Sequence, residues 1–301
     1  MRAAAEDAPG GSLGRRRRLV PYALLSPGGL VLLFLLVLPL GLLVYTSLQS
    51  GGAFSGGFRF TWAFANYGVA ISQYREQFLR SLTFSSIVTV AALLLAYPMV
   101  YWIAFYGGRR KSSILLLILL PYFVSFVIRT VQWKFLLGDN GLLFGPLKEI
   151  GLLPDGFRVL ATPLAVIAGM VYSYLPFAAL PLYVALERID WRLVEAARDL
   201  YASRWEAFRH VVFPLSLPGV FAAVLLVFVP SSGDYVNAAV LGGPDTTMIG
   251  NIIQRKFLEE LNYPQAAALS VVLMGAMLVL ASVYARVLGT EDEALTAGAT
   301  A

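Results

Sequence analysis

Cysteine is missing from this chain of 301 residues, and histidine occurs once, at position 210. The lack of cysteine excludes disulfides and thiolate metal sites, and His210 alone cannot form a multi-histidine site. Charged residues are also scarce: they make up 14% of the chain, against about 25% in a soluble domain. Hydrophobic residues make up 58%. We therefore expect most of the chain to lie in lipid, and we do not expect metal catalysis.

Several apolar windows are long enough to cross a bilayer, which takes roughly 20 predominantly apolar residues. The first is too long for the apolar core of a signal peptide, which runs about 7–15 residues, so we interpret it as a retained helix. The sequence predicts an all-α, polytopic membrane protein with about six transmembrane helices. The windows lie near 19–47, 82–106, 112–136, 161–186, 217–241 and 265–288.

The positive charges predict the orientation of the chain. Four arginines, Arg15 to Arg18, precede the first window, and Arg109, Arg110 and Lys111 occupy a short loop. Positive residues in short loops stay cytoplasmic, so both termini are predicted to be cytoplasmic. The arginine run adjoins a span and has no interleaved aromatics, which indicates contact with anionic lipid and no nucleic acid. Residues 1–18 and 290–301 are predicted as cytoplasmic tails of a membrane domain at 19–289, with Gly-rich outer loops at 48–80, 138–160 and 233–264.

The segment 187–214 is charged and helix-forming, and it lies between two very apolar windows. Its pattern predicts two short helices joined by a turn. Asp190 suits the N-cap of the first helix, and Ser203 with Glu206 fits a capping box at the second. We expect the second helix to end near Pro214, with Pro218 preventing its continuation. The first helix carries an apolar stripe with small residues at its centre. The stripe consists of Leu193, Ala196, Ala197 and Leu200.

This segment resembles the coupling loop of the permease subunits of bacterial ABC importers. The matching positions are Glu195-Ala196-Ala197, Val211 and Pro214, whereas Tyr201 stands where the family has glycine and Phe213 where it commonly has leucine. A tyrosine would need about 1 kcal/mol or more to adopt a left-handed glycine conformation, so we expect the turn to differ in shape. The alternative interpretation of this segment is a solvated helical loop with no partner. The resemblance implies an ATPase-coupling set of Glu195, Ala196, Ala197, Arg198, Asp199, Leu200, Tyr201, Ser203 and Glu206.

Further stretches resemble the spermidine/putrescine permease subfamily, and together they extend across nearly the whole chain. They are 21–27, 128–130, 193–200, 231–236 and 262–270. This resemblance implies the ABC importer type I permease fold, a place in the bacterial inner membrane, and alternating access. It also implies four kinds of partner besides lipid: two ABC ATPase subunits, a second homologous permease, an extracytoplasmic solute-binding protein, and a small solute, here a polyamine.

The chain has no phosphate-binding loop of its own, because no lysine follows a glycine in the pattern that nucleotide binding requires. We expect it to bind no cofactor and to be no enzyme, with ATP and Mg²⁺ used by the partner ATPases. An ion-coupled carrier or channel would need several buried acids or histidines, and a membrane enzyme would need a catalytic cluster within its spans. The sequence offers neither.

A flexible polycation would favour a carboxylate surrounded by aromatic faces. Asp234 and Arg129 lie near the predicted outer ends of spans, where charges are either functional or simply solvated or paired with each other. A cationic solute would favour a site at Asp234, and an anionic one a site at Arg129. Opines, phosphonates, iron and molybdate therefore remain open as solutes. The candidate residues of the solute path are Asp234, Tyr235, Tyr172, Tyr174, Trp133 and Arg129.

Overall fold

The computed structural model describes residues 12–54, 56–139 and 141–298, with side chains described between 26 and 286. Most of the predicted N-terminal tail, residues 1–11, and the end of the C-terminal tail, residues 299–301, lie outside the described residues. The backbone at 290–298 continues the last helix.

Four long, apolar helices dominate the described part of the chain, together with one helix that begins in the charged segment. Helix α1 spans Ser12–Ser47, α3 spans Arg75–Tyr106, α7 spans Pro163–Glu187 and α13 spans Tyr263–Gly298. Helix α10 spans Phe213–Ser232 and continues a helical segment that starts at Arg204. By length and composition these are five candidate membrane spans, or six if one bent pair counts as a span. The all-helical polytopic prediction is confirmed.

The third predicted window is a broken helix. Helix α4, Lys111–Leu119, runs through a 3₁₀ turn at Leu120–Phe123, and α5, Phe126–Leu136, leaves at 92° to it. Pro121 lacks the amide that would continue the helical hydrogen bonds, and Val124 is extended. The break brings the start of α5 beside the core instead of continuing across the membrane in one line.

The fifth window, predicted at 217–241, is wrong in its boundaries. Helix α10 ends at Ser232, and a separate helix, α11, spans Val236–Leu241. Between them, the Asp234 carboxylate accepts the amide N–H groups of Val236 at 2.9 Å and Asn237 at 3.0 Å. A carboxylate that satisfies the first free amides starts a new helix, and so ends the previous one.

The core lies where α3, α7 and α10 pack against one another. Small residues on α3, among them Ala92 and Ala96, are fully buried, which lets the helix backbones approach closely. At Gly219 on α10, an added Cβ would lie 2.4 Å from the Ala185 Cβ of α7. By contrast, the 18-residue apolar window of the first span is 0% buried within this chain.

Short elements fill the segments between spans. Strands β1, Gln49–Gly52, and β2, Gly57–Phe60, form an antiparallel hairpin that the sequence did not predict. Helix α2, Ala65–Gln73, lies in the outer loop predicted at 48–80 and ends before α3 begins. Among its described residues, the Gly-rich loop at 138–160 has one short helix, α6, Phe144–Glu149. The remaining helices are α8, Trp191–Asp199, α9, Arg204–Ala207, and α12, Ile249–Leu258.

Candidate functional site

Residues 190–212, which we call the elbow, form two helices with a turn between them, as the sequence predicts. The Asp190 side chain accepts the amide of Arg192 at 3.0 Å and caps α8. At α9 both halves of the capping box are present: Ser203 Oγ accepts the Glu206 amide at 3.2 Å, and the Glu206 carboxylate accepts the Ser203 amide at 2.7 Å. Each cap satisfies an amide that the helix leaves free, so both helix starts are fixed.

The second helix of the elbow does not end at Pro214. Instead, α9 passes through a π-helical turn at Phe208–Val212 into α10 without a break in the helix. Pro214 occupies the first turn of α10, where the missing amide is tolerated, and Pro218 lies inside the helix. The predicted stop is therefore wrong. The elbow is joined directly to the fifth span, so a displacement of α9 displaces α10.

Aromatic rings join the elbow to the end of α3. Trp191 lies 4.9 Å from Phe105, measured between ring centroids, and Phe208 lies 5.9 Å from Tyr101. Such pairs contribute about 0.5–1.5 kcal/mol each beyond their burial. Sequence reasoning missed these contacts, although the aromatics of α3 recur near its end. The elbow is thus packed against the second span through its rings, and Val194 of α8 is buried in the core cluster.

The predicted apolar stripe of α8 does not face this core. Leu193 is 49% exposed and Leu200 is 82% exposed, and Ala196 is exposed as well. Ala197 alone among the stripe packs on the core. Small and apolar residues on the outer face of a short charged helix leave a surface that another protein can approach closely. The other predicted coupling residues outside the stripe, Glu195, Arg198, Asp199, Ser203 and Glu206, are all exposed.

Tyr201 adopts the backbone conformation that the resemblance assigns to glycine. Its φ is +65° and its side chain is 98% exposed. The tyrosine thus takes the left-handed conformation at its energetic cost, and the turn presents a ring at its apex. Whether the turn differs in shape from that of the family stays a prediction.

On the opposite side of the core, the Asp234 carboxylate is the centre of a buried hydrogen-bond cluster. Asp234 is 5% exposed. Its Oδ2 accepts Asn237 Nδ2 at 2.7 Å and the Tyr174 hydroxyl at 3.2 Å, and its Oδ1 accepts the two amides of α11. Burial raises the pKa of Asp234, and the hydrogen bonds from Asn237, Tyr174 and Val236 oppose that rise. The Asp234 carboxylate is therefore not simply solvated, which was one of the alternatives that the sequence left open.

Arg129 lies near this cluster without pairing to it. The side chain is 8% exposed, and its guanidinium carbon lies 4.7 Å from the centre of the Tyr122 ring, a cation–π contact. The Nε atom has no hydrogen-bond partner, and among the described residues no carboxylate forms an ion pair with Arg129. Mutual pairing with Asp234, the other alternative, does not occur either. Next to Arg129, Thr130 donates to Asn237 Oδ1 at 3.3 Å.

The remaining path candidates lie around the same region. Tyr174 also contacts Phe177, whose ring lies 5.1 Å from that of Tyr122. Trp133 and Tyr172 form their own ring pair at 5.3 Å, and both are half-buried. Tyr235 is 45% exposed beside the cluster. The break in the third span, α7 and the α10–α11 junction thus meet at one polar and aromatic site, of which the sequence missed Tyr122, Thr130 and Asn237.

A bundle of apolar helices with one charged elbow, no phosphate-binding loop and a buried polar site defines the permease subunit of a membrane transporter. Residues 68–289 match the family described as binding-protein-dependent transport system inner membrane component. The chain belongs to this family and is the transmembrane permease subunit of an ABC importer, a multi-pass protein of the inner membrane.

Curated relatives agree with this assignment. The chain is 39% identical over 213 residues to the spermidine/putrescine transport system permease protein PotB of Haemophilus influenzae, covering 71% of this chain and 74% of the relative. The Escherichia coli PotB is 37% identical over 210 residues, covering 69% and 76%. The molybdenum transport system permease protein ModB of Azotobacter vinelandii is 31% identical over 191 residues, covering 62% and 81%.

A solved structure has the same fold. The crystal structure of a bacterial ABC transporter involved in the import of the acidic polysaccharide alginate superposes with a TM-score of 0.62 at 22% identity, covering 90% of this chain and 96% of the matched one. A second structure of a bacterial alginate ABC transporter, in complex with alginate pentasaccharide-bound periplasmic protein, gives a TM-score of 0.57 at 20% identity. The type I permease fold predicted from the sequence is confirmed.

Proposed function

We propose that this chain translocates polyamines such as spermidine and putrescine, received from a solute-binding protein outside the membrane. The observation that carries the proposal is the 39% identity to a spermidine/putrescine permease over 71% of the chain. The buried carboxylate with tyrosines beside it supports a cationic solute. Its chemistry suits ammonium groups, which pair with carboxylates and aromatic faces.

The solute path is proposed to pass the Asp234 cluster. Each carboxylate oxygen already accepts two hydrogen bonds, and the bond from Tyr174 is the longest of the four at 3.2 Å. Tyr174 is therefore the donor that an incoming ammonium replaces most readily. The Arg129 guanidinium already lies on the Tyr122 ring, which shows that an aromatic face of this region can hold a cation.

The elbow is the proposed docking point for one of two ATPase subunits, which bind and hydrolyse ATP with Mg²⁺ while this chain binds no cofactor. Its exposed apex of Leu200 and Tyr201 suits a partner surface, and its ring contacts to α3 and its unbroken join to α10 provide the route for movement. A second, homologous permease would complete the pore. The importer then alternates between inward-open and outward-open states, which its partners bias through their differing affinity for each.

The test is reconstitution in proteoliposomes with the ATPase, the second permease and the binding protein, measuring ATP hydrolysis and uptake of labelled spermidine. We expect spermidine uptake that Glu195→Ala uncouples from hydrolysis, while Glu149→Ala, another exposed acid outside the elbow, leaves both unchanged. Assembly without polyamine uptake would retain the importer and reject the solute. Failure of the chain to bind any ATPase would reject the coupling role of the elbow.

A second variant tests the path. Asp234→Asn replaces one acceptor oxygen by a donor. With the donor at the Oδ2 position, both Asn237 Nδ2 and the Tyr174 hydroxyl lose their acceptor, and with the donor at the Oδ1 position, the two amides of α11 lose theirs. We expect spermidine uptake to fall at least tenfold, while the exposed Asp245→Asn transports normally. Because an unpaired buried group also lowers stability by about 1–3 kcal/mol, the thermal midpoint is measured alongside, and uptake is compared at equal amounts of folded protein.

The relative named as a molybdenum permease makes an oxyanion the specific alternative solute. The cation of Arg129, whose Nε atom is unpartnered, is the observation that favours it. Molybdate uptake in the same vesicles, lost in Arg129→Gln and retained in Asp234→Asn, would assign the path to an anion.

A further inference from the structure

Four aromatic side chains form a continuous ladder beside the end of the first span. The Tyr45 ring stacks on Phe60 with centroids 5.0 Å apart, Phe60 meets Trp62 edge-on at 4.9 Å, and Trp62 stacks on Phe64 at 6.1 Å. We call these residues the aromatic collar. Tyr45 belongs to α1, Phe60 to β2, and the other two precede α2. The collar thus joins the span to the segment after it.

Hydrogen bonds fix the collar at the level where the span ends. The amide of Ala63 donates to the Leu48 carbonyl at 2.9 Å, and that of Thr61 donates to the same oxygen at 3.4 Å. The Asn66 side-chain amide donates to the carbonyls of Ser47 at 2.8 Å and Gln49 at 2.9 Å. The segment that carries the last two rings is therefore bonded to the backbone at 47–49 through the neighbours of Trp62 and Phe64, and it cannot move away without losing these bonds.

The collar is exposed in spite of its size. Trp62 is 63% exposed, Phe64 62% and Tyr45 49%. Trp62 also holds a left-handed backbone, with φ at +50°, which costs a bulky residue about 1–2 kcal/mol. A bulky ring held on a strained backbone, within a group of large rings that the rest of the described chain leaves uncovered, indicates contact with something outside the chain.

Two observations identify that contact as lipid. The surface that the collar extends is the apolar face of the first span, from which Leu33 and Leu36 project at 59% and 64% exposure. Tyrosine and tryptophan are enriched at the boundary between hydrocarbon and headgroups, because their rings are apolar with one polar edge. Arg59 is exposed on β2, next to Phe60 in the strand, so the hairpin also carries a cation.

We propose that the aromatic collar is a phospholipid-binding surface, which seats the hairpin in the headgroup region of the leaflet opposite the elbow. The alternation of the spans places the collar and the elbow on opposite sides of the membrane. The collar sets the depth of the first span, whose apolar window is not buried by the part of the chain that the structure describes. The hairpin is then part of the membrane boundary and not a loop in water.

The absence of cysteine permits a direct test. Single variants Trp62→Cys and Phe64→Cys in the full chain are labelled with a nitroxide in phospholipid nanodiscs, and electron paramagnetic resonance measures collision with oxygen, which enters lipid, and with a water-soluble nickel chelate. Leu33→Cys is the lipid control and Tyr201→Cys the water control. We expect both collar labels to collide more with oxygen than with nickel, at a ratio between the two controls.

Three outcomes would overturn the proposal. Nickel accessibility equal to that of Tyr201→Cys would place the collar in water. Protection from both reagents would show that a protein, a second copy or a partner, covers it. An oxygen-to-nickel ratio equal to that of Leu33→Cys would place it in hydrocarbon. Two labelling positions guard against loss of folding in one variant, and each sample is first checked for a single species by gel filtration.

Discussion

At the scale of single residues, Tyr201 separates the backbone of the elbow from its surface chemistry. Its left-handed φ of +65° gives the turn that a glycine would give, while its ring is 98% exposed. A glycine would relieve the strain but would expose no ring. Tyr201 therefore has a strained backbone but presents an aromatic ring at the apex, next to Leu200. The proposed contact with the ATPase can thus be tested by substituting this one side chain.

We expect Tyr201→Asn to keep the conformation of the turn and to weaken the binding of the ATPase. Asparagine enters the left-handed region more readily than other residues with a Cβ, so the thermal midpoint should stay the same or rise. Loss of the ring should weaken binding about tenfold, or about 1.4 kcal/mol, as measured by titrating the ATPase onto the permease in nanodiscs. Tyr201→Phe keeps the ring and should bind normally. Equal affinity for all three proteins would show that the ring makes no contact.

At the scale of elements, the sequence predicted which segments are helical better than it predicted where the helices end. The capping residues Asp190 and Ser203 act locally, through amides two and three residues away, so their pattern was sufficient. The end of α10 depends on Asp234, which is held by Tyr174 from another helix. Hydropathy averaged over the length of a span could not place that boundary, because apolar stretches at 220–230 and 236–241 flank the short polar run at 231–234.

The packing of α7 on α10 gives a prediction for a pair of helices. Alanine at Gly219 would place its Cβ 2.4 Å from the Ala185 Cβ and 2.8 Å from the Pro181 carbonyl oxygen. We expect Gly219→Ala to lower the free energy of unfolding by about 1–3 kcal/mol, the usual effect of overpacking, and to reduce transport because the helices must separate.

The matched control is Gly275→Ala in α13, where an added Cβ meets no atom within 4 Å. There, alanine should leave the stability unchanged or increase it by up to about 1 kcal/mol through helix propensity. Denaturant titration of both variants in the same detergent compares them directly. A Gly219 variant as stable as the Gly275 variant would mean that α7 and α10 pack less closely than the structure has them.

At the scale of the whole molecule, the candidate site forms only when distant segments meet. Asp234 and Arg129 were both visible in the sequence as charges near span ends, but their burial, and their failure to pair, depend on the 92° break in the third span and on the α10–α11 junction. Thr130 and Asn237 join these two segments at 3.3 Å across 107 positions of the chain. No local pattern indicates such a contact.

The orientation of the molecule follows from its charges and remains to be measured. Lys111, in the short basic loop, lies 3.9 Å from Glu187 at the end of α7, so this loop and the elbow share one side, which the positive-inside rule predicts to be cytoplasmic.

Asp155 and Asp199 are both exposed aspartates, one in the loop at 138–160 and one at the end of α8. In the cysteine-free chain, we expect a membrane-impermeant thiol reagent added to spheroplasts to label Asp155→Cys at once. Asp199→Cys should react only after the membrane is permeabilised, as the predicted cytoplasmic position of the elbow requires. The reverse pattern would invert the topology and place the elbow out of reach of any cytoplasmic ATPase.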